Sequence, residues 1–287
     1  MKNLHSCRLT TTILLCAAMI IMFCTVSAQA QNTNNILVSG SRYMYFAVTD
    51  LARHYGDKNP NANINVSATD SDTGFRKFLN REIDILMSFR ILDDDEKAEA
   101  AEHGLQLVEQ MVGWGAVAII TQPGNPVGEL TLDQVRKMFL GELTNWNQVG
   151  GPNEPIVPMT RDESISGTET FFRELVLKGP ALAQNLVRVC DYDIIRAVWK
   201  QKGAVADARF VEATRGKSRG MVKIMAIKEN DRNMHVVPTE ETVKNRTYPI
   251  CGPLYIYYDA KSGKAHCRPF MEFCSSQGLW PVFALAR

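Results

Sequence analysis

Arg161-Asp162-Glu163-Ser164-Ile165-Ser166-Gly167-Thr168-Glu169-Thr170-Phe171-Phe172 is a polar loop that runs straight into an amphipathic helical pattern. First-turn amides of a helix have no intrahelical partner and sit at the positive end of its dipole. Ser166, Gly167 and Thr168 can therefore offer N–H and hydroxyl donors to a small anion. Arg161 can close the same seat with a planar, permanently charged fork. The Ser166 to Glu169 spacing also satisfies a capping box, which needs no ligand. Loops of similar chemistry recur at Ser39-Gly40-Ser41-Arg42, at Asp70-Ser71-Asp72-Thr73-Gly74 and at Ser88-Phe89-Arg90.

The elements that position these loops repeat as strand, polar turn and helix. Ile36-Leu37-Val38 is a strand that leads through Ser41 to a helical pattern over Phe46, Val48 and Leu51. Ile64-Asn65-Val66 leads through Ser71 to Phe75, Phe78 and Leu79, and Ile83 to Leu86 ends at Ser88. Asp93 to Glu96 load acidic charge onto the start of the next helix, which compensates its dipole. Met111 to Thr121 is a nearly uninterrupted apolar strand that can cross between two lobes. Thr131 caps a helix with Gln134, and Gly141 stops it. Ile156 to Met159 is the strand before the opening loop. Asp193 to Trp199 is a further region, and Ala204 to Thr214 carries no clear pattern. Met221 to Ile227 reads as a strand, Thr239 to Lys244 as a capped helix, Tyr248 to Tyr258 as a second crossing strand, and Phe270 to Cys274 as the start of the last helix. Alternation of this kind implies mainly parallel sheets flanked by helices, with ligands beyond the carboxyl ends of the strands.

Lys2 and Arg8, an apolar run from Ile13 to Val26 and the exit Ala28-Gln29-Ala30 form a secretory signal, with cleavage after Ala28 or Ala30. A lipid anchor at Cys24 ranks behind simple cleavage, because Ile21-Met22-Phe23 lacks small residues. The chain of 287 residues has 32 basic and 31 acidic side chains, and the leader removes two of the basic ones. The remainder is nearly neutral, which excludes the electrostatic footprint of a nucleic-acid or anionic-membrane partner. Cys190, Cys251, Cys267 and Cys274 stay in an oxidising compartment and allow up to two disulfides. Cys267 and Cys274 lie about 10 Å apart on a helix, too far to bridge each other. No cofactor or metal is expected: the spacings of His54, His103, His235 and His266 and of Asp70 to Asp72 fit neither zinc nor calcium sets. No catalytic residues are expected either, since Ser166-Gly167-Thr168 lacks the flanking glycines of a nucleophile elbow.

Ser39-Gly40-Ser41, Asp70 to Gly74, Leu130 to Val135 with Thr144-Asn145-Trp146, and Arg161 to Thr168 together resemble the phosphate-binding proteins of ABC phosphate importers, a type II periplasmic solute-binding family. The resemblance continues through Val237-Pro238-Thr239, Tyr248-Pro249-Ile250 and Pro253-Leu254-Tyr255, over nearly the whole mature chain. It implies an α/β fold of two lobes, each a mainly parallel sheet flanked by helices, with two crossing segments. The expected division is a signal at 1–30, lobe one at 31–115 and 248–287, and lobe two at 116–247. It implies phosphate or a similar oxyanion as ligand, an inner-membrane ABC permease as partner, a periplasmic or secreted location, a monomer and no enzymatic activity. The implied anion contacts are Ser41, Ser71, Arg161, Ser166, Gly167 and Thr168, with Arg42, Thr73, Ser88 and Arg90 as further candidates. Four departures stand out: Arg42 and Tyr43 replace small hydroxyl residues, Asp70 and Asp72 replace glycines, the interval from Arg161 to Ser166 is one residue longer than the family pattern, and Phe89 and Arg90 follow the third strand. The altered loops leave open a second reading, a sensory or extracellular interaction module with changed or lost anion binding.

Overall fold

The computed structural model describes residues 34–161, 166–178, 182–189, 193–214, 220–230 and 232–277. The signal, its cleavage site, Cys190 and the middle of the Arg161 to Ser166 loop lie outside the described residues. β1 (Asn35–Gly40) passes through a 3-10 turn (Arg42–Met44) into α1 (Tyr45–Lys58), β2 (Asn63–Val66) leads to α2 (Ser71–Leu79), and β3 (Ile85–Ser88) to α3 (Asp94–Glu102). Then come β4 (Leu107–Thr121), β5 (Glu129–Thr131), α4 (Leu132–Leu140), β6 (Val157–Arg161) and α5 (Gly167–Phe172), which continues as a π turn (Arg173–Leu177). β7 (Val187–Val189), α6 (Ile194–Lys200), β8 (Ala204–Arg209), α7 (Phe210–Thr214), β9 (Lys223–Ile224), β10 (Ala226–Lys228), α8 (Glu240–Lys244), β11 (Cys251–Asp259) and α9 (Cys267–Gln277) complete the order.

One sheet runs β2-β1-β3-β11-β4-β8-β6-β7, with β9 also on β4 and a separate β5-β10 pair. The outer strands β2-β1-β3 and β8-β6-β7 pair in parallel, as the alternating pattern predicts. The two apolar crossing strands lie antiparallel between them. β4 changes partner midway: Ala116 faces Cys251 of β11, and Val117 faces Arg209 of β8. Beyond that point every residue of β4 is buried, so one strand threads both halves of the sheet. The carboxyl ends of β1, β3, β6 and β8 carry Ser41, Ser88, Arg161 and Arg209, the positions where open α/β sheets gather ligands.

Several expectations change in detail. The third strand starts two residues later than Ile83, and Met221 to Ile227 splits into β9 and β10 around buried Met225. The unpatterned stretch from Ala204 forms β8 and α7. Ala204 to Ala208 are fully buried, and alanine carries little strand propensity, so burial rather than local preference makes this strand. Of the disulfides that the sequence allows, none forms among the described residues, where Cys251, Cys267 and Cys274 are free thiols. Cys267 and Cys274 pack into the core as small apolar groups on the buried face of α9, and burial pushes the Cys267 thiol up to about 11. Trp146 is fully buried and its indole N–H donates to the Gly203 carbonyl at 2.9 Å, so the Thr-Asn-Trp segment is a packing element. No helix among the described residues is long and apolar enough to cross a membrane.

Candidate functional site

Gly40 ends β1 with φ +128°, and a Cβ there would stand 2.1 Å from the Met87 carbonyl oxygen, so only glycine admits the turn. Ser41 follows, its N–H donating to Met87 O at 2.8 Å while it bridges to Thr69. Asp70 caps α2 by accepting from the Thr73 N–H and the Thr73 hydroxyl, each at 2.7 Å. Burial pushes the Asp70 carboxyl up, but these bonds outweigh it and hold the carboxyl below its ordinary range. Ser71 opens the helix behind this cap. A Cβ on Gly74 would lie 2.6 Å from the Gly40 Cα, so the first turn of α2 rests directly on the end of β1. That contact sets the start of α2, which carries Ser71, against the end of β1, which leads into Ser41.

The α5 loop closes on them from the other half of the sheet. A Cβ on Gly167 would stand 2.1 Å from the Tyr43 nitrogen and 2.4 Å from the Arg42 carbonyl carbon, so α5 begins flat against the 3-10 turn that follows Ser41. The Ser166 hydroxyl accepts from the Glu169 N–H at 3.4 Å. The other half of the expected capping box is not formed in the expected way, because the Glu169 carboxylate takes the Arg173 guanidinium at 2.7 and 3.0 Å. Ser41, Ser71, Ser166, Gly167 and Thr168 are all buried at this junction. The Ser41 and Ser71 hydroxyl oxygens have no hydrogen-bond partner among the described residues. An orphaned buried hydroxyl costs about 1–3 kcal/mol, so two of them together fit a polar guest.

Aromatic packing seals the junction. The Tyr43 ring stacks on Phe171 at 4.5 Å, and Phe89 meets Phe171 edge-on at 5.1 Å. The Tyr43 hydroxyl donates to the Ala116 carbonyl at 3.1 Å and accepts from the Ala116 N–H at 3.0 Å, at the residue where β4 changes partner. Burial pushes the Tyr43 phenol far above its usual value, so it stays neutral.

Arg161 is fully buried. Its Nη1 donates to the Asp207 carbonyl at 3.0 Å and lies 3.7 Å from Asp207 Oδ2, while Nη2 donates to Glu212 Oε2 at 2.5 Å. Thr160 Oγ1 donates to Asp207 Oδ1 at 2.6 Å. Burial pushes the Asp207 carboxyl up and the Arg161 charge pulls against it. Arg209 Nη2 sits 2.7 Å from Glu212 Oε1, and its guanidinium lies 5.4 Å from the centre of the Phe46 ring on α1. Asp207, Arg209 and Glu212 were missed by the sequence reading. The signal available was a charged pair at the end of an alanine-rich run, which the weak strand propensity concealed.

Three of the further candidates are directed elsewhere. Arg90 pairs with both oxygens of Glu96 at 2.7 Å and with Asp72 at 2.6 Å. The Arg90 bonds draw Glu96 below its ordinary range. The Ser88 hydroxyl closes its own turn by donating to Arg90 O at 2.6 Å, and Thr73 serves the Asp70 cap. These local partners satisfy the polar groups before any ligand can. Arg42 stays near the junction: with Thr69, Asp70, Glu169, Thr170, Arg173 and Glu174 it lines a cavity of about 240 Å³ at its edge. Burial, then the charges of Asp72 and Asp70, push the Glu174 carboxyl up to about 7.

Known proteins resemble this chain over most of its length. The protein SphX of Synechococcus elongatus is 27% identical over 247 residues, covering 83% of this chain and 72% of its own. The phosphate-binding protein PstS of Staphylococcus haemolyticus is 27% identical over 241 residues, covering 82% and 74%. A crystal structure from Clostridium perfringens, described as a phosphate ABC transporter substrate-binding protein with bound phosphate, superposes with a TM-score of 0.64 at 26% identity, covering 84% of this chain and 92% of that one. Solved structures of this two-lobed kind share the fold. The model of the PBP superfamily domain matches residues 25–277, and the chain, with its paired α/β halves and its crossing strands, belongs to that superfamily.

Proposed function

We propose that this chain is an extracytoplasmic receptor that captures phosphate or a similar tetrahedral oxyanion where Ser41, Ser71, Ser166, Gly167 and Thr168 meet, and hands it to an ABC permease. The observation that carries the reading is the pair of buried, orphaned hydroxyls on Ser41 and Ser71, pressed against the start of a helix from the other half of the sheet. An oxyanion there accepts from both hydroxyls and from first-turn amides of α5, so fixed donors offset its desolvation. The relatives named as phosphate-binding proteins support this choice of ligand. Residues 31–115 and 248–287 form one lobe, residues 116–247 the other, and closure about β4 and β11 traps the ligand. The receptor works as a monomer after loss of residues 1–30, and its role is binding without turnover.

A second reading, a sensory or interaction module with lost anion binding, is favoured by one observation: Asp207 and Glu212 already hold the Arg161 fork. Calorimetric titration of the leader-free protein separates the two. The receptor gives saturable heat with micromolar or tighter phosphate, and the module gives none.

A further inference from the structure

Tyr43 stands two residues after Ser41, and its backbone, ring and hydroxyl each meet a part of the chain distant in sequence. A Cβ on Gly167 would lie 2.1 Å from its nitrogen, so the backbone is pressed against the first turn of α5. Its ring stacks on Phe171 of the same helix with centroids 4.5 Å apart. Its hydroxyl reaches the backbone of β4 at Ala116. The ring runs so close to β4 that a Cβ on Gly115 would stand 2.6 Å from Tyr43 Cε1, and glycine makes room for it there.

The two bonds at Ala116 stand in for a strand. The Val117 N–H donates to the Ile250 carbonyl at 3.1 Å, on the β11 side of β4. Successive residues of a strand turn their polar groups to opposite sides, so the Ala116 N–H and C=O face away from β11 and toward β8. β8 ends at Arg209, opposite Val117, and the chain turns into α7 at Phe210. The Tyr43 hydroxyl fills the vacant place, accepting from the Ala116 N–H at 3.0 Å and donating to the Ala116 carbonyl at 3.1 Å. A phenol does both only while protonated, and burial keeps it so. Ala116 is also the last residue of β4 in register with β11, and Val117 the first in register with β8.

We infer that Tyr43 is the latch of closure, a positioning residue whose hydroxyl completes β4 at its change of partner only while α5 rests on the turn after Ser41. Grip on the oxyanion and the setting of the crossing strand are then made and broken together. The inference rests on the oxyanion-receptor reading with its two closing lobes, and adds the residue that joins seat to hinge. Tyr43 acts through α5 and β4 rather than by touching phosphate with its side chain. When the lobes part, the Ala116 groups turn to water.

The test uses leader-free protein and inorganic phosphate. Wild type and Tyr43→Phe are compared by calorimetry and by stopped-flow association and release, and amide hydrogen exchange is followed in wild type with and without phosphate. Tyr43→Phe keeps the ring and removes only the hydroxyl. It is expected to bind about tenfold more weakly, through faster release with association unchanged. In wild type, phosphate is expected to slow exchange of the Ala116 amide about tenfold more than that of Ala118, which faces Ala208 inside the β4–β8 ladder. Equal affinity in the two proteins, or weaker binding that comes from slower association, overturns the inference. So does an Ala116 amide slowed no more than Ala118, because the hydroxyl is then a fixed support of the strand. The exchange measurement needs no variant and decides by itself if Tyr43→Phe fails to fold. If wild type binds phosphate and any of these contrary results is found, the latch falls alone. If wild type binds none, the receptor reading falls and the latch with it.

Discussion

At the scale of single residues the decisive atoms are two hydroxyl oxygens. Ser41 and Ser71 are buried without partners among the described residues, so each alanine variant should have opposite effects on two observables. Removing a buried hydroxyl that makes no bond leaves the ligand-free protein as stable or slightly more so, while removing a ligand contact costs about 1–1.5 kcal/mol of binding, near tenfold in Kd. Thermal melts and phosphate titrations of Ser41→Ala and Ser71→Ala check both signs. Arg161→Ala behaves differently, since it strands Asp207 and Glu212. It is expected to lose about 3–5 kcal/mol of stability as well as most anion affinity, read by urea unfolding and calorimetry. Glu174 adds a pH dependence. Its carboxyl is pushed up to about 7, so the folded state holds a proton that the unfolded chain releases. Its contribution to stability is complete below the ordinary carboxylate range and is lost as pH rises through about 7. Between pH 4 and 8, wild type should lose stability relative to Glu174→Gln as pH rises, and parallel curves refute this.

At the scale of elements, close backbone approach does the positioning. Gly74 seats α2 on β1, and Gly167 seats α5 on the turn after Ser41. Gly167→Ala puts a methyl carbon against the Tyr43 nitrogen and must push α5 away, at a cost of about 1–3 kcal/mol of overpacking. Phosphate affinity should fall by a matching factor while Trp146, remote in its pocket with Gly203, keeps its native fluorescence. The strand, turn and helix units were legible because apolar periodicity and caps such as Thr131 with Gln134 are local signals. β8 was not legible, because its alanines become a strand only through burial between β4 and β6. For the same reason Arg209 and Glu212 could not be assigned to the site: strand pairing across some fifty residues brings them to Arg161. Thr73, Ser88 and Arg90 looked like ligands because composition does not reveal which hydroxyls and charges their neighbours will satisfy.

At the scale of the molecule, a sheet threaded by β4 and β11 sets two groups of helix-opening loops against each other. The partner change at Ala116 and Val117, gripped by the Tyr43 hydroxyl, lies directly behind the junction. On the proposed reading, closure there couples ligand contacts to the geometry of the whole chain, the behaviour a transport receptor needs. Tyr43 stacks on Phe171 across the junction, and on the proposed reading phosphate adds bonds there that lobes held apart could not make. The most direct measurement is a crystal structure of the leader-free protein grown with phosphate. The account predicts tetrahedral density within hydrogen-bond distance of the Ser41 and Ser71 hydroxyls and the Gly167 and Thr168 amides. Phosphate bound elsewhere, or those two hydroxyls turned to bulk water in the bound state, contradicts it.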